Sequence, residues 1–364
     1  MELVQASKQW ASRPNDERFL SLDAMLDHFK TQKLNSRSMV KANRELNFAP
    51  VEGDTAKKEL VIQTDKGEAT PTNWSFGQLA TLANAPSGYL RTLPTPIVAD
   101  LMNYGLKVHR DVESVGVLLT RNDNSNVATL RAATGPNYGR IWNAEVVKGL
   151  IEVVGDGATG AWRVPGEFGE DVTITKQNTT LYGSDRDMFI FLADERNRIE
   201  VPNPSGGYRS LARGFFVFNS EVGKMSIGVT SFLFDFVCFN RIVWGAQDVN
   251  EIRFRHSKGA PWRYIEEIEP ALKTYAEGSV KGIEDGVKAA QARRIDNVDE
   301  FLNQRFSKNM ALAIQATHIQ EEGRPVDTLW DATTAISAQA KTIVHQDARI
   351  NLEREAGKIM ELAA

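Results

Sequence analysis

Residues 214–259 read GFFVFNSEVGKMSIGVTSFLFDFVCFNRIVWGAQDVNEIRFRHSKG, and this stretch interrupts some of the most apolar sequence in the chain with polar residues. Asn219, Ser220 and Glu221 follow one hydrophobic run, and Asn240 follows a second. Amides and charges are costly to bury beside Phe, Val and Leu unless they pair or serve a ligand. We therefore treat Asn219, Ser220, Glu221 and Asn240 as a candidate functional polar cluster near the centre of the fold.

The second half of this stretch has helical periodicity. Phe232, Phe236, Phe239 and Val243 recur at the spacing of one helix face, and a parallel stripe makes the segment apolar nearly all round. A helix that is hydrophobic on every side is typical of a buried position. The pattern predicts a central buried helix.

Extended segments surround the predicted helix. A hairpin is indicated at 115–120 and 127–133, since two strand-like runs flank a turn-rich hexapeptide. Further strand-like segments lie at 46–64, 172–176, 188–192 and 214–218. Helical patterns lie at 19–29 with Asp23 or Ser21 as a cap, at 73–85, after Pro96, and after Asn143 as a cap. The combination predicts an α+β fold, mainly an antiparallel sheet packed with helices.

The character of the chain changes after Pro261, where strand signals end and Ala, Glu, Lys and Gln become frequent. Gly323 separates two predicted helices, and Thr328 with Asp331 resembles a capping box in which Asp replaces the usual Glu. The chain thus divides into an N-terminal helical arm at 1–44, an α+β core domain at 45–260 and an all-helical C-terminal region at 261–364.

Composition and charge limit the class of protein. The formal net charge is −4, which disfavours a protein that coats nucleic acid with its whole surface but leaves room for a local basic groove. Cys238 is the single cysteine, so an internal disulfide is excluded, and burial as a small hydrophobe is favoured over nucleophilic chemistry. The longest apolar run contains Asp235 and Arg241, which argues against a membrane helix. No secretory signal is recognised at the N-terminus, and we expect a cytoplasmic protein.

Few motifs with a defined chemistry are present. The five histidines are dispersed, no Cys/His spacing fits a metal site, and no phosphate-binding loop or hydrolase motif is found. We predict no metal site, and no cofactor is indicated. Glu221 and His256 could act as a general base and acid if they met in space. The alternative is structural, with Asn219 and Ser220 capping a following helix and Glu221 in its first turn.

Two groups of basic and aromatic residues are candidates for nucleic-acid binding. The first follows the hairpin and comprises Arg131, Tyr138 and Arg140. The second closes the opening stretch and comprises Arg253, Arg255, His256 and Lys258. Cationic side chains neutralise phosphates and an aromatic ring stacks on a base, so both groups suit a single strand. A solvated basic face that binds nothing is the competing interpretation.

Several short motifs are distributed along most of the chain. They are Gln9-Trp10…Arg13-Pro14…Asp16-Glu17-Arg18-Phe19, Leu130-Arg131-Ala132…Tyr138…Arg140, Asn219-Ser220-Glu221-Val222-Gly223, Val237-Cys238-Phe239-Asn240, Arg253-Phe254-Arg255-His256 and Thr328-Leu329-Trp330-Asp331-Ala332. In this order they resemble the phage/plasmid-like family of proteins, a domain of unknown function found in phages, prophages and plasmids. One departure is Asn240-Arg241, where many relatives have Asn-Gly. The resemblance implies a mobile-element setting and no particular reaction.

Three functions remain open at this level. The first is a nucleic-acid-binding protein of phage or plasmid DNA metabolism, acting as an oligomeric single-strand binding or annealing factor. The second is an enzyme acting on a nucleotide or phosphate ester, with Glu221 and His256 in acid and base roles. The third is a non-catalytic assembly or host-interaction protein, with homo-oligomer contacts through the C-terminal helices. A fold in which every polar motif is a cap or a core hydrogen bond competes with all three.

Overall fold

The computed structural model describes residues 13–51, 60–64, 67–108, 113–121, 127–164, 173–203, 206–235, 240–242, 251–343 and 346–363. Two mainly antiparallel β-sheets and a helical C-terminal region account for most of these residues. The predicted α+β fold class is confirmed.

The small sheet is formed by the chain before residue 135. Its strands are β2 (Ser36–Ala42), β3 (Asn47–Pro50), β4 (Leu60–Thr64), β5 (Gly67–Pro71), β6 (Ser114–Thr120) and β7 (Ala128–Thr134). They are ordered β2–β6–β7–β5–β4–β3, and all described pairs are antiparallel except β5 with β7. The predicted hairpin is confirmed as β6 and β7, which pair from Gly116 opposite Thr134 to Thr120 opposite Thr129.

The large sheet follows, with one short strand contributed from near the N-terminus. Its described strands are β1 (Arg18–Phe19), β8 (Trp162–Arg163), β9 (Leu181–Gly183), β10 (Met188–Asp194), β11 (Ile199–Pro202), β12 (Tyr208–Asn219), β13 (Ile227–Asp235), β14 (Asn240–Ile242) and β15 (Glu251–Phe254). The central path is β1–β9–β10–β12–β13–β14, with β8, β11 and β15 added at the sides. Phe215 and Val217 face one apolar core while Phe216 and Phe218 face another, so the centre of β12 is buried on both sides.

Helices cover the sheets and form the C-terminal region. The described helices are α1 (Leu22–Leu34), α2 (Asn73–Leu82), α3 (Ser87–Leu90), α4 (Thr95–Val108), α5 (Asn143–Val154), α6 (Ala260–Arg263), α7 (Glu269–Glu277), α8 (Lys281–Ala292), α9 (Val298–Asn303), α10 (Lys308–Glu322), α11 (Leu329–Ala340) and α12 (Gln346–Glu361), with a π-helical turn at Tyr264–Ile268 between α6 and α7. Of the two caps predicted for α1, Ser21 is confirmed, because its side chain accepts the N–H of Ala24 at 3.2 Å, whereas Asp23 lies in the first turn of the helix. Among these helices, none is long and apolar enough to cross a membrane.

The predicted central helix is wrong in the part that the structure describes. Phe232 lies in β13, and β13 pairs with β14 from Leu233 opposite Ile242 to Asp235 opposite Asn240. A strand buried on both faces is an almost continuous apolar run, and such a run contains helical spacing as well as strand alternation. The other three residues of the predicted stripe lie outside the described residues.

The strand predicted at 172–176 is also wrong over its described part, 173–176, which has no strand. A local turn competes there, because the side chain of Asn178 accepts the N–H of Thr175 at 2.7 Å. Asn and Thr side chains that bond to nearby backbone groups favour turns over sheet pairing.

The C-terminal helices pack against the large sheet where β12 begins and β13 ends, and form a separate hydrophobic core there. Leu211 and Leu233 from the strands join Trp330 and Ile336 from α11 in this core. The predicted capping box is confirmed, since Thr328 and Asp331 each bond to the other's backbone N–H at 3.1 Å. At the other end of the chain, α1 packs against α5, and β2 pairs with β6. The proposed boundaries at residues 44 and 260 stay a prediction.

Candidate functional site

The polar triplet ends strand β12 in a tight turn where the two sheets meet. Asn219 and Ser220 have no exposed surface, and Glu221 is 2% exposed. The hydroxyl of Ser220 accepts the N–H groups of Val222 at 3.3 Å and Lys224 at 2.9 Å, which closes the turn locally. We call residues 219–223 the joint.

Glu221 is held by two partners inside the joint. Its Oε1 accepts the backbone N–H of Asn143 at 2.8 Å, and its Oε2 lies 2.9 Å from Nη1 of Arg131, which is 4% exposed. Asn143 begins α5, so the carboxylate binds a free N–H at the positive end of the helix dipole. Both oxygens of this buried carboxylate are therefore used in structural contacts.

The capping predictions for this region were wrong about which helix is capped. The segment after Glu221 continues into β13, whereas the helix that Glu221 caps is α5, far earlier in the chain. Asn143 makes no side-chain cap of its own helix; its Oδ1 accepts the amide of Asn219 at 2.8 Å. The Asn219 amide also donates to the carbonyl of Ile141 at 2.9 Å. The physical reason is that a cap can come from any polar group that tertiary packing brings to a helix end.

The joint also bonds to the small-sheet part of the chain. The carbonyl of Val222 accepts Nε1 of Trp74 at 2.9 Å and Nε2 of Gln78 at 2.8 Å, both from α2. The Oε1 of Gln78 in turn accepts the N–H of Ala133 in β7 at 2.9 Å. Gly223 has a φ of +80°, and a Cβ there would lie 3.3 Å from the Gln78 amide nitrogen. The joint is thus a hydrogen-bonded connection between the sheets.

Tyr138, Arg140 and His256 form a stacked group beside the joint. The rings of Tyr138 and His256 lie 4.9 Å apart with an interplanar angle of 26°, and the Tyr138 hydroxyl donates to the Ser220 carbonyl at 2.7 Å. The guanidinium carbon of Arg140 lies 5.4 Å from the Tyr138 ring and 5.9 Å from the Trp142 ring. Burial lowers the pKa of Arg140 and raises that of Tyr138. Aromatic faces therefore surround a cation that is largely removed from solvent.

His256 is uncharged at neutral pH. Burial, together with the nearby Arg140 cation, lowers the pKa of His256 to about 4, although the hydrogen bond with Gly139 acts in the opposite direction. Its Nδ1 lies 3.1 Å from the Gly139 carbonyl oxygen, so Nδ1 carries the hydrogen. A neutral imidazole brings no positive charge to a phosphate. His256 instead packs against Tyr138 and bonds to Gly139.

The basic residues that close the stretch separate onto two sides of the chain. Arg253 and Arg255 are exposed, while Phe254 and His256 are each 7% exposed, so the alternation of β15 continues for two residues beyond its end at Phe254. Arg253 donates to the Ser226 hydroxyl at 2.6 Å, and neither exposed arginine pairs with a carboxylate among the described residues.

Lys258 extends this exposed side of the chain. It lies in the loop that leads into α6, is exposed, and has no ion-pair partner in the part of the chain that the structure describes. We call Arg253, Arg255 and Lys258 the basic strip.

The predicted site residues therefore fall into two sets. Those at or beside the joint are Asn219, Ser220, Glu221, Arg131, Tyr138, Arg140 and His256. Those on the exposed side are Arg253, Arg255 and Lys258. Asn240 lies in β14 opposite Asp235, and its side chain falls outside the described residues.

Sequence reasoning missed several aromatic and cationic residues around these sets. The Nζ of Lys224 lies 5.0 Å from the Trp74 ring, and Trp142 has Lys33 at 5.6 Å in addition to Arg140. Trp262, directly after the basic run, is 65% exposed. Its position next to that run was a usable signal, whereas the tryptophan–lysine pairs join segments too distant in sequence to be paired by inspection. No group of three or more His, Cys, Asp or Glu side chains suited to a metal ion occurs among the described residues.

Comparison with known proteins identifies a family. No curated protein and no solved structure matches the chain. A family model described as "Domain of unknown function (DUF932)" matches residues 135–355, which is more than half of the chain. The matched part contains the joint, β15 and the capping box of α11. On this match, the chain belongs to the DUF932 family of domains of unknown function.

Proposed function

We propose that this protein binds single-stranded nucleic acid through the basic strip, as a factor in phage or plasmid DNA metabolism. The observation that carries the proposal is that Arg253, Arg255 and Lys258 are exposed beside one another in the chain, and none has a carboxylate partner among the described residues. When unpaired cations neutralise phosphates, the counterions condensed on the nucleic acid are released, and this release drives binding.

Other surface cations illustrate the contrast. Arg294 lies 2.9 Å from Asp327, Lys341 lies 2.7 Å from Glu321, and Lys358 lies 2.6 Å from Glu355. A cation neutralised by its own neighbour contributes little to an external field, whereas an unneutralised strip attracts anions locally even on a protein of net charge −4. The strip therefore brings three cations without a carboxylate partner among the described residues together within six residues of the chain.

The joint supports the strip rather than contacting nucleic acid. Arg131 is 4% exposed and paired with Glu221, and His256 is buried against Tyr138. In this proposal Arg131, Tyr138, Arg140 and His256 position the strip and do not contact phosphate. Because both oxygens of Glu221 are engaged, we propose no acid or base role for it.

The motifs that resemble phage/plasmid-like proteins support a mobile-element setting, in the cytoplasm of the host cell. Annealing and single-strand binding factors act as oligomers in this proposal, with the C-terminal helices as the contact. Leu312 and Ile319 support that contact, because they lie on the same face of α10, two turns apart, and are 55% and 52% exposed.

Binding of a labelled single-stranded oligonucleotide across a salt series tests the proposal. We compare the natural protein with the triple variant Arg253→Gln/Arg255→Gln/Lys258→Gln. Each phosphate contact contributes about 0.7 to the slope of log affinity against log salt, so the slope should become shallower by about 2. The affinity at low salt should fall with it.

The matched control removes the same charge from paired surface sites, as Arg294→Gln/Lys341→Gln/Lys358→Gln. This control should bind like the natural protein. Absence of salt-dependent binding by the natural protein, or an equal loss in the control, contradicts the proposal.

A further inference from the structure

We propose that Trp262 is the residue on which an unpaired base stacks, so that the basic strip selects single-stranded over duplex nucleic acid. This inference rests on the proposed function and names the form of nucleic acid that the strip takes. Trp262 is 65% exposed, although a large apolar ring on a surface loses the benefit of burial. It lies in α6, a few residues beyond Lys258.

The backbone that carries Trp262 is firmly anchored on both sides. Ala260 is fully buried before it and Tyr264 is 3% exposed after it. The N–H of Ala260 donates to the Ser257 carbonyl at 2.9 Å, which ties α6 to the loop of the basic strip. The indole is therefore presented by an ordered segment, which lowers the entropy cost of binding.

The same loop packs closely against the stacked group below. A Cβ on Gly139 would lie 1.9 Å from the Ser257 carbonyl oxygen and 3.0 Å from Cδ of Pro261, so only glycine permits this approach. The N–H of Gly139 donates to the carbonyl of His256 at 3.0 Å. These contacts connect the joint to the base of the exposed tryptophan and give the buried half of the site its positioning role.

The cations that precede Trp262 favour a nucleic-acid strand over a protein as the occupant, while the exposed Glu266 follows it four residues later. Arg255 and Lys258 are exposed on the loop that precedes Trp262, and cations beside an aromatic ring match the alternation of phosphate and base along a strand. Arg263 does not compete for the indole, because it contacts the Phe254 ring at 4.3 Å and bonds twice to Glu267. In a duplex the bases are stacked on each other, so an exposed ring finds no free base face.

The test measures the dissociation constants of three probes: an oligothymidylate, an abasic strand of the same length, and a duplex. The natural protein should prefer oligothymidylate to the abasic strand by about tenfold, as expected for one stacked base. Trp262→Ala should lose this preference while its affinity for the abasic strand and its salt dependence stay unchanged. Trp262→Phe should retain part of the preference.

Tyr208→Ala is the matched control, since Tyr208 is a 73% exposed aromatic residue at the start of β12, away from the end of β12 nearest β15. It should behave like the natural protein. An unchanged preference in Trp262→Ala overturns the inference and leaves the proposed function standing. A change of oligomeric mass in Trp262→Ala without a change of base preference also overturns the inference. It would assign Trp262 and the exposed Ile265 to a protein contact. Failure of the natural protein to bind any probe overturns both proposals.

Discussion

The joint and the basic strip use the same residue type for opposite purposes. Arg131 is 4% exposed and lies 2.9 Å from Glu221, whereas Arg255 is exposed and has no ion-pair partner among the described residues. A buried charge destabilises the fold unless it is paired, while an exposed charge costs almost nothing when it is left unpaired. The difference teaches that burial and ion pairing decide whether an arginine stabilises this fold or stays available at the surface.

The largest expected effect comes from removing the anion of the joint. Glu221→Ala leaves Arg131 buried without its counter-charge and the Asn143 N–H without its acceptor. We expect a loss of about 3–5 kcal/mol in the free energy of unfolding, the cost of breaking a buried ion pair. Urea denaturation measures this loss.

Glu221→Gln is the graded comparison, because its amide oxygen can still accept the Asn143 N–H. It should lose less stability than Glu221→Ala. A loss below about 0.5 kcal/mol in Glu221→Ala, the range of ordinary surface substitutions, would mean that the joint does not hold the sheets together.

A smaller effect is expected from the titration of His256. Its pKa is lowered from 6.5 to about 4 in the folded protein, so the unfolded chain takes up a proton first as the pH falls. The stability that the neutral imidazole supports is complete above pH 6.5 and is lost as the pH falls toward 4. This group alone accounts for about 3 kcal/mol across that window.

His256→Asn removes the titration and keeps a donor for the Gly139 carbonyl. The difference in unfolding free energy between pH 7 and pH 4 should therefore be smaller in the variant than in the natural protein. Equal pH dependence in the two proteins would show that the imidazole is not held neutral in the fold.

The smallest expected effect on stability belongs to the basic strip. Arg255→Glu should change the free energy of unfolding by less than about 0.5 kcal/mol, because an exposed side chain without an ion pair has little to lose. The same substitution should weaken binding of the labelled single strand in the salt series. A loss of stability comparable to that of Glu221→Ala would place Arg255 in the fold and remove the contrast between the two regions.

Much of the local structure could be predicted from the residues alone. The hairpin of β6 and β7, the cap of α1 by Ser21 and the capping box of α11 were each predictable, since their partners lie close together in sequence. Strand β13 was not predictable, because it is buried on both faces of the sheet and its continuous apolar run fits helical spacing as well as strand alternation.

Most residues of the candidate site could be named from the sequence, but their contacts with one another could not. The polar triplet and both basic groups were found as residue types at interruptions of apolar sequence. Whether Glu221 would meet His256 or cap a helix depended on contacts with Asn143 and Arg131, which no short-range pattern encodes. Trp262 could have been found from its place next to the basic run.

The sequence by itself determined the elements whose hydrogen bonds close within a few residues, such as the Ser21 cap and the Thr328 cap. Only the tertiary structure decided that Arg253 and Arg255 face solvent while His256 is buried, and that Glu221 caps α5. The physical reason is range. Local bonds depend on neighbouring residues, whereas burial and ion pairing depend on what distant segments bring to the same place.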